Sequence, residues 1–182
     1  MDVDYGPLAE LIGVWEGDKG LDIAPEPDGS EESPYYETIE FTARGTAENA
    51  DSQELAVVRY QQIVSRKSND EVFHDQTGYW MWDPATGVVM QSLAIPRAVC
   101  ALAGGSVSQL DGETTLKVRA AMDDPDWGVI QSPFMRDNAR TVSFSHQLTV
   151  TGNVLGYMET TVLEIYGSTF DHTDTNQLRR KN

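Results

Sequence analysis

The chain has 182 residues, 40% of them hydrophobic, with 13 Lys+Arg against 29 Asp+Glu and a formal net charge of −16. That is enough chain to bury one core and predicts a single domain over residues 1–182. So acidic a surface repels phosphate, which sets nucleic acid and anionic membranes aside as partners, and no run approaches the ~18 apolar residues of a membrane span.

The opening Met1-Asp2-Val3-Asp4-Tyr5 carries acid where a secretory signal needs base. Cys100 is the only cysteine, which excludes an intrachain disulfide and suits a reducing compartment. Together these point to a cytoplasmic protein. Cys100 stands among Ala98, Val99, Ala101 and Leu102 and reads as a buried small hydrophobe.

Pro7 to Ile12 predicts one short helical turn, with Pro7 tolerated at its start. A first strand begins at Gly13. The segment Ala24–Pro34 is acidic and rich in breakers, and it predicts a loop. Strands follow at 35–46, 55–64 and 72–82. Asp83-Pro84-Ala85-Thr86-Gly87 is the clearest turn, because Pro presets φ and Gly accepts φ > 0. Further strands are predicted at 88–95, 98–102 and 114–121, the last entered through the hairpin turn Leu110-Asp111-Gly112-Glu113.

Residues 122–139 break the rhythm. A connection this long without regular structure is often functional, and Trp127, Phe134 and Met135 give it a reason to fold against the body or the mouth. Alternation resumes at 141–150, 154–166 and 169–178. About ten short strands with regular turns and no long helix predict an all-β fold: an antiparallel, ten-stranded up-and-down β-barrel. Ten strands enclose more space than eight, so function belongs in the lumen.

Only three histidines are present. His172 shares a strand face with Phe170 and Asp174, and a late imidazole in a barrel is a candidate ligand for metal or haem. His74 shares one face of its strand with Gln76, Gly78, Trp80 and Trp82. The opposite face carries Phe73, Tyr79 and Met81, so alternation alone leaves the inward face open. Gly78 leaves space for a ligand or a bulge. His146 falls in phase with Phe144 and Leu148 and reads as a satisfied interior histidine. No phosphate loop, serine elbow or short metal-ligand spacing is present. The acids fall mostly in apparent loops, so no carboxylate pair stands out. The terminal Arg179-Arg180-Lys181 reads as a solvated basic tip.

Gly13-x-Trp15-x-Gly17, then Gly78-Tyr79 behind His74, then His172 shortly before Leu178-Arg179, resemble the nitrobindins, haem-binding barrels shaped like lipocalins and fatty-acid-binding proteins. The resemblance implies a ferric haem b with His172 as iron ligand and His74 near its other face. It further implies NO binding, isomerisation of peroxynitrite to nitrate in characterised members, and a homodimer as the candidate assembly. This chain departs from the family pattern at Lys19, where a third glycine is usual, and at Ile95-Pro96-Arg97-Ala98, which lacks the usual histidine. The alternative is a lipocalin-like barrel without haem that binds a small apolar molecule, with Trp80, Trp82, Trp127 and Met135 as candidate lining.

Overall fold

The computed structural model describes residues 3–181. A 3-10 helix, Gly6–Leu11, precedes eleven strands: β1 Gly13–Glu26, β2 Gly29–Asn49, β3 Gln53–Arg66, β4 Val72–Trp82, β5 Val89–Ile95, β6 Val99–Leu110, β7 Glu113–Ala121, β8 Val129–Gln131, β9 Ala139–Thr151, β10 Val154–Ile165 and β11 Ser168–Arg180. A six-residue helix, α1 (Pro133–Asn138), sits between β8 and β9.

Ten of these strands pair antiparallel with their neighbours along the chain, β7 with β9 across the β8 excursion. The ring closes where β1 meets β11, through Trp15↔Arg180 and Glu16↔Arg179. The predicted up-and-down barrel is therefore the fold. Its turns follow local chemistry: Asp111 and Gly112 take positive φ (52° and 81°) in the β6–β7 hairpin, as a two-residue turn of matching twist requires. After β4, the Asp83 carboxylate accepts from the Ala85 and Thr86 amides and fixes the next turn.

One end of the barrel is sealed. Leu8 and Leu11 of the 3-10 helix are fully buried with Trp15, Leu155 and Leu178. The Trp15 indole donates to the Leu11 carbonyl at 2.7 Å, so the first barrel tryptophan also caps the plug. Arg180 is not a solvated tip. Its guanidinium lies 4.1 Å from the Trp15 ring centre and donates to the carbonyls of Ile12 and Glu10, clamping the plug to the last strand. Trp82 also belongs to this sealed end, with its ring against Gly6, where an added Cβ would meet it at 2.3 Å.

Three further expectations are corrected. Residues 24–34 are not a loop: β1 and β2 continue as a two-stranded ribbon through Leu21↔Pro34 and Ala24↔Glu31 to a turn at 27–28. β3 stops pairing at Tyr35↔Arg66, so the ribbon has free edges, where the missing N–H of a proline costs no ladder bond. Cys100 is exposed on the outer face of β6, because the inward positions are taken by Val99, Ala101 and Ala103. The uniformly apolar run hid that alternation.

Gly78 does not leave room for a ligand. A Cβ there would meet the Ser92 carbonyl at 1.9 Å, so the glycine allows β4 and β5 to approach closely. Residues 122–139 do fold onto the body. β8 pairs with the start of β6, through Val99↔Gln131 and Ala101↔Val129, next to the stretch of β6 that β7 covers. The Gln131 amide bonds both backbone groups of Thr141 on β9, at 3.0 and 2.9 Å. The segment thus patches the wall between β6 and β9. Trp127 lies over Gly104 and Met135 packs on the core, whereas Phe134 is exposed. No helix among the described residues is long and apolar enough to cross a membrane.

Candidate functional site

Away from the plug, the inward rows turn polar. On β11 the inward series runs Leu178, Asn176, Asp174, His172, Phe170, from sealed end to open end. The β10 register sets Tyr157 beside Asn176, Glu159 beside Asp174 and Thr161 beside His172. β9 adds His146 beside Glu159 and Phe144 beside Thr161. Local alternation places each of these side chains inside.

His172 is half-buried near the open end. Its Nε2 lies 2.7 Å from Asp22 Oδ1 and 3.3 Å from Asp174 Oδ2. Asp22 comes from β1, 150 positions away in sequence, and its side chain is 9% exposed. The bond to Asp22 raises the His172 pKa, against burial, and the Asp174 charge adds to the rise. Burial pushes Asp174 itself up to about 6, with His172 working the other way.

Below them lies Glu37 of β2, 2% exposed, which accepts from Asn176 Nδ2 at 2.7 Å and Gln62 Nε2 at 2.8 Å. Burial raises its pKa to about 7 despite those donors. Glu159 is raised to about 8, by burial first and then by the Asp174 charge. Tyr35 and Tyr157 join through their hydroxyls at 3.0 Å. The open half of the lumen therefore gathers Asp22, Glu37, Glu159 and Asp174 on the rows around His172, and burial raises the pKa of Glu37, Glu159 and Asp174.

The undecided face of β4 is resolved. His74, Gln76 and Trp80 register with Val64, Gln62 and Val58 on the inward side. Gln76 and Gln91 both donate to the Tyr60 hydroxyl at 2.8 Å. His74 is half-buried and its pKa is lowered, chiefly by desolvation, with Arg97 and His172 adding to the drop. β4 and β11 are four steps apart in the ten-strand ring. The barrel thus brings His74 and His172 within electrostatic reach across one mouth.

His146 is interior, as expected, but only half satisfied. Its Nδ1 pairs with Gln91 Oε1 at 3.0 Å, while Nε2 is buried without a partner. Burial drives its pKa down to about 3, so it stays neutral. The rings of Trp80, Tyr157 and Phe144 surround it at 5.7, 5.8 and 6.1 Å between centroids.

An axial haem ligand needs an unprotonated ring nitrogen facing open space. His146 has the free nitrogen but is boxed by three aromatic rings, which leaves no place for a macrocycle. His172 is not boxed in: its side chain is 26% exposed. Its cost is the bond to Asp22, a charge-assisted hydrogen bond of about 1.5–3 kcal/mol, and a metal must displace that proton in any case. The residues fit haem iron at His172 and not at His146.

Asp22, Glu37 and Glu159 escaped the sequence reading. Glu159 carried a signal, an acid in the inward phase of Leu155, Tyr157 and Leu163. Asp22 carried none, since the bulge between Gly17 and Gly20 shifts the inward phase that starts at Trp15 onto Gly20 and Asp22.

A comparison with curated proteins finds no match. The profile of the family described as "THAP4-like, heme-binding beta-barrel domain" matches residues 4–180. Among solved structures, the chain is similar to Rv2717c from M. tuberculosis, with a TM-score of 0.74 at 19% identity over 100% of both chains. At that identity the likeness concerns the fold.

Proposed function

This chain belongs to the THAP4-like haem-binding β-barrel family, and from that premise we propose that its open end holds a haem b, with the His172 imidazole as iron ligand and His74 near the opposite face. The observation that carries this reading is the inward, half-buried imidazole on the last strand, facing the open end of a barrel whose other end is sealed. When bound, ferric haem would supply a coordination position for NO, and for peroxynitrite on its way to nitrate. The chain's part is to bind and shield. To bind iron through Nε2, His172 would give up its contacts to Asp22 and Asp174, both of which are made by that nitrogen. Leu93, Val99, Ala101 and Phe144 offer the apolar wall. His74, kept neutral by burial, can accept a proton or donate one hydrogen bond there. The reading places the protein in the cytoplasm, as a homodimer testable by light scattering.

Reconstitution with haemin tests it. The wild-type protein should develop a Soret band. His172→Ala should lose it while keeping a β-sheet circular-dichroism spectrum, whereas His74→Ala should keep it with altered NO release. An unchanged Soret band in His172→Ala would remove that residue as ligand. The second reading, a barrel for a small apolar molecule without haem, is favoured by one contact, the Asp22 bond that already engages Nε2. No Soret band in the wild type, together with saturable uptake of an apolar fluorophore, would support it.

A further inference from the structure

We propose that in the haem-free protein Asp22, His172 and Asp174 form a binding site for a single divalent transition-metal ion. The inference concerns a ligand other than haem, although it shares His172 with the haem reading.

The geometry carries it. One ligand atom from each of the three residues lies within 4.8 Å of the other two. For metal–ligand bonds of about 2.0–2.2 Å, neighbouring ligands stand roughly 3.0 Å apart in an octahedron and roughly 3.4 Å apart in a tetrahedron. The contacts from His172 Nε2, 2.7 Å to Asp22 Oδ1 and 3.3 Å to Asp174 Oδ2, already lie close to those edges. A metal would take the place of the proton now shared between imidazole and carboxylate, with small shifts along the two edges from His172. The donors come from β1, where Asp22 pairs with Ser33 in the β1–β2 ribbon, and from two alternate positions of β11, so all three sit on paired strands.

A second observation is independent of those distances. Asp174 Oδ1 is buried and has no hydrogen-bond partner. A buried carboxylate oxygen without a donor is costly, and an ion held by both oxygens of Asp174 would remove the cost.

Donor type sets the metal class. Two carboxylate oxygens and one imidazole nitrogen, with the remaining positions open to water, suit Zn²⁺, Mn²⁺ or Fe²⁺. Ca²⁺ asks for six to eight oxygens, and Cu⁺ for thiolate or thioether. Open positions on such an ion also make it a site for an anionic or carbonyl-bearing small molecule.

The test uses the full chain, freed of any affinity tag and of metal by chelation and dialysis. Titration with Zn²⁺ in a calorimeter should show one site, and Co²⁺ should give visible d–d bands. Asp22→Asn and Asp174→Asn should each weaken Zn²⁺ binding at least tenfold, and His172→Ala should abolish it. His74→Ala should bind Zn²⁺ as the wild type does. The haem reading separates cleanly: haemin uptake by the wild type is read from its Soret band alone, independently of Zn²⁺ binding by the two Asn variants, while His172→Ala loses both ligands. The proposal is overturned if the wild type shows no single-site Zn²⁺ binding, or if both Asn variants bind as tightly as the wild type, whatever haemin does.

Discussion

The two ends of the barrel solve opposite problems with the same strands. At the sealed end Leu8, Leu11, Trp15, Leu155 and Leu178 pack around a short helix and are buried almost completely. At the open end the same inward rows carry Asp22, His172, Asp174 and Glu159, and one carboxylate oxygen is left without a partner. Burial at the first end is favourable by area alone. At the second it costs free energy and shifts pKa values, and such shifts cluster at functional sites. The contrast shows that the plug end supplies stability and allows the mouth to hold groups that are unfavourable there.

Truncating the plug should break the contrast most. Trp15→Ala removes a fully buried aromatic side chain and should cost about 3–5 kcal/mol, read as a fall in denaturant midpoint. A variant melting near the wild type would show that the sealed end is not the source of stability. Arg180→Ala should cost less, about 1–2 kcal/mol, since it removes the cation over Trp15 and the donors to Ile12 and Glu10 but leaves the plug side chains buried. Equal losses from both variants would mean that the clamp, not the burial, holds the plug.

The mouth should reveal itself through pH. Glu37 and Glu159 have native pKa values raised to about 7 and about 8 from 4.5. The native state therefore holds protons that the unfolded state has released, and stability falls as pH rises from about 4.5 through 8. His146, lowered from 6.5 to about 3, acts in the opposite sense, and its contribution is lost as pH falls below 6.5. Two carboxyls outweigh one imidazole between pH 4.5 and 6.5. The wild type should thus melt higher at pH 6 than at pH 8. Glu37→Gln should narrow that difference, the smallest of these effects. An unchanged difference in both Glu37→Gln and Glu159→Gln would show that these carboxyls are not what titrates.

Much of the barrel was legible because its causes are local. Alternation is a property of each strand, and Asp111-Gly112 or Asp83 through Gly87 adopt their turns from their own chemistry. His172 and His74 were legible as candidates for the same reason: few imidazoles exist, and their inward neighbours are readable. The failures are equally local in origin. Prolines and acids at 24–34 read as breakers, because one strand cannot tell that its partner's free edge will tolerate them. Ala98 to Leu102 is apolar on both faces, so Cys100 could not be placed. β8, three residues long, makes sense only beside β6.

The sequence by itself determined most of the strands, the turns and the short list of imidazoles, because these depend on residues a few positions apart. Only the tertiary structure decided which face of β4 points inward, that Arg180 closes over Trp15, and that Asp22 meets His172 across 150 residues. Those outcomes depend on the shear and closure of the whole ring, which set which distant side chains share a level of the lumen. A carboxylate becomes unusual only when the surrounding strands exclude water from it. For Asp174, Glu37 and Glu159 that surrounding is not written in any neighbouring residue.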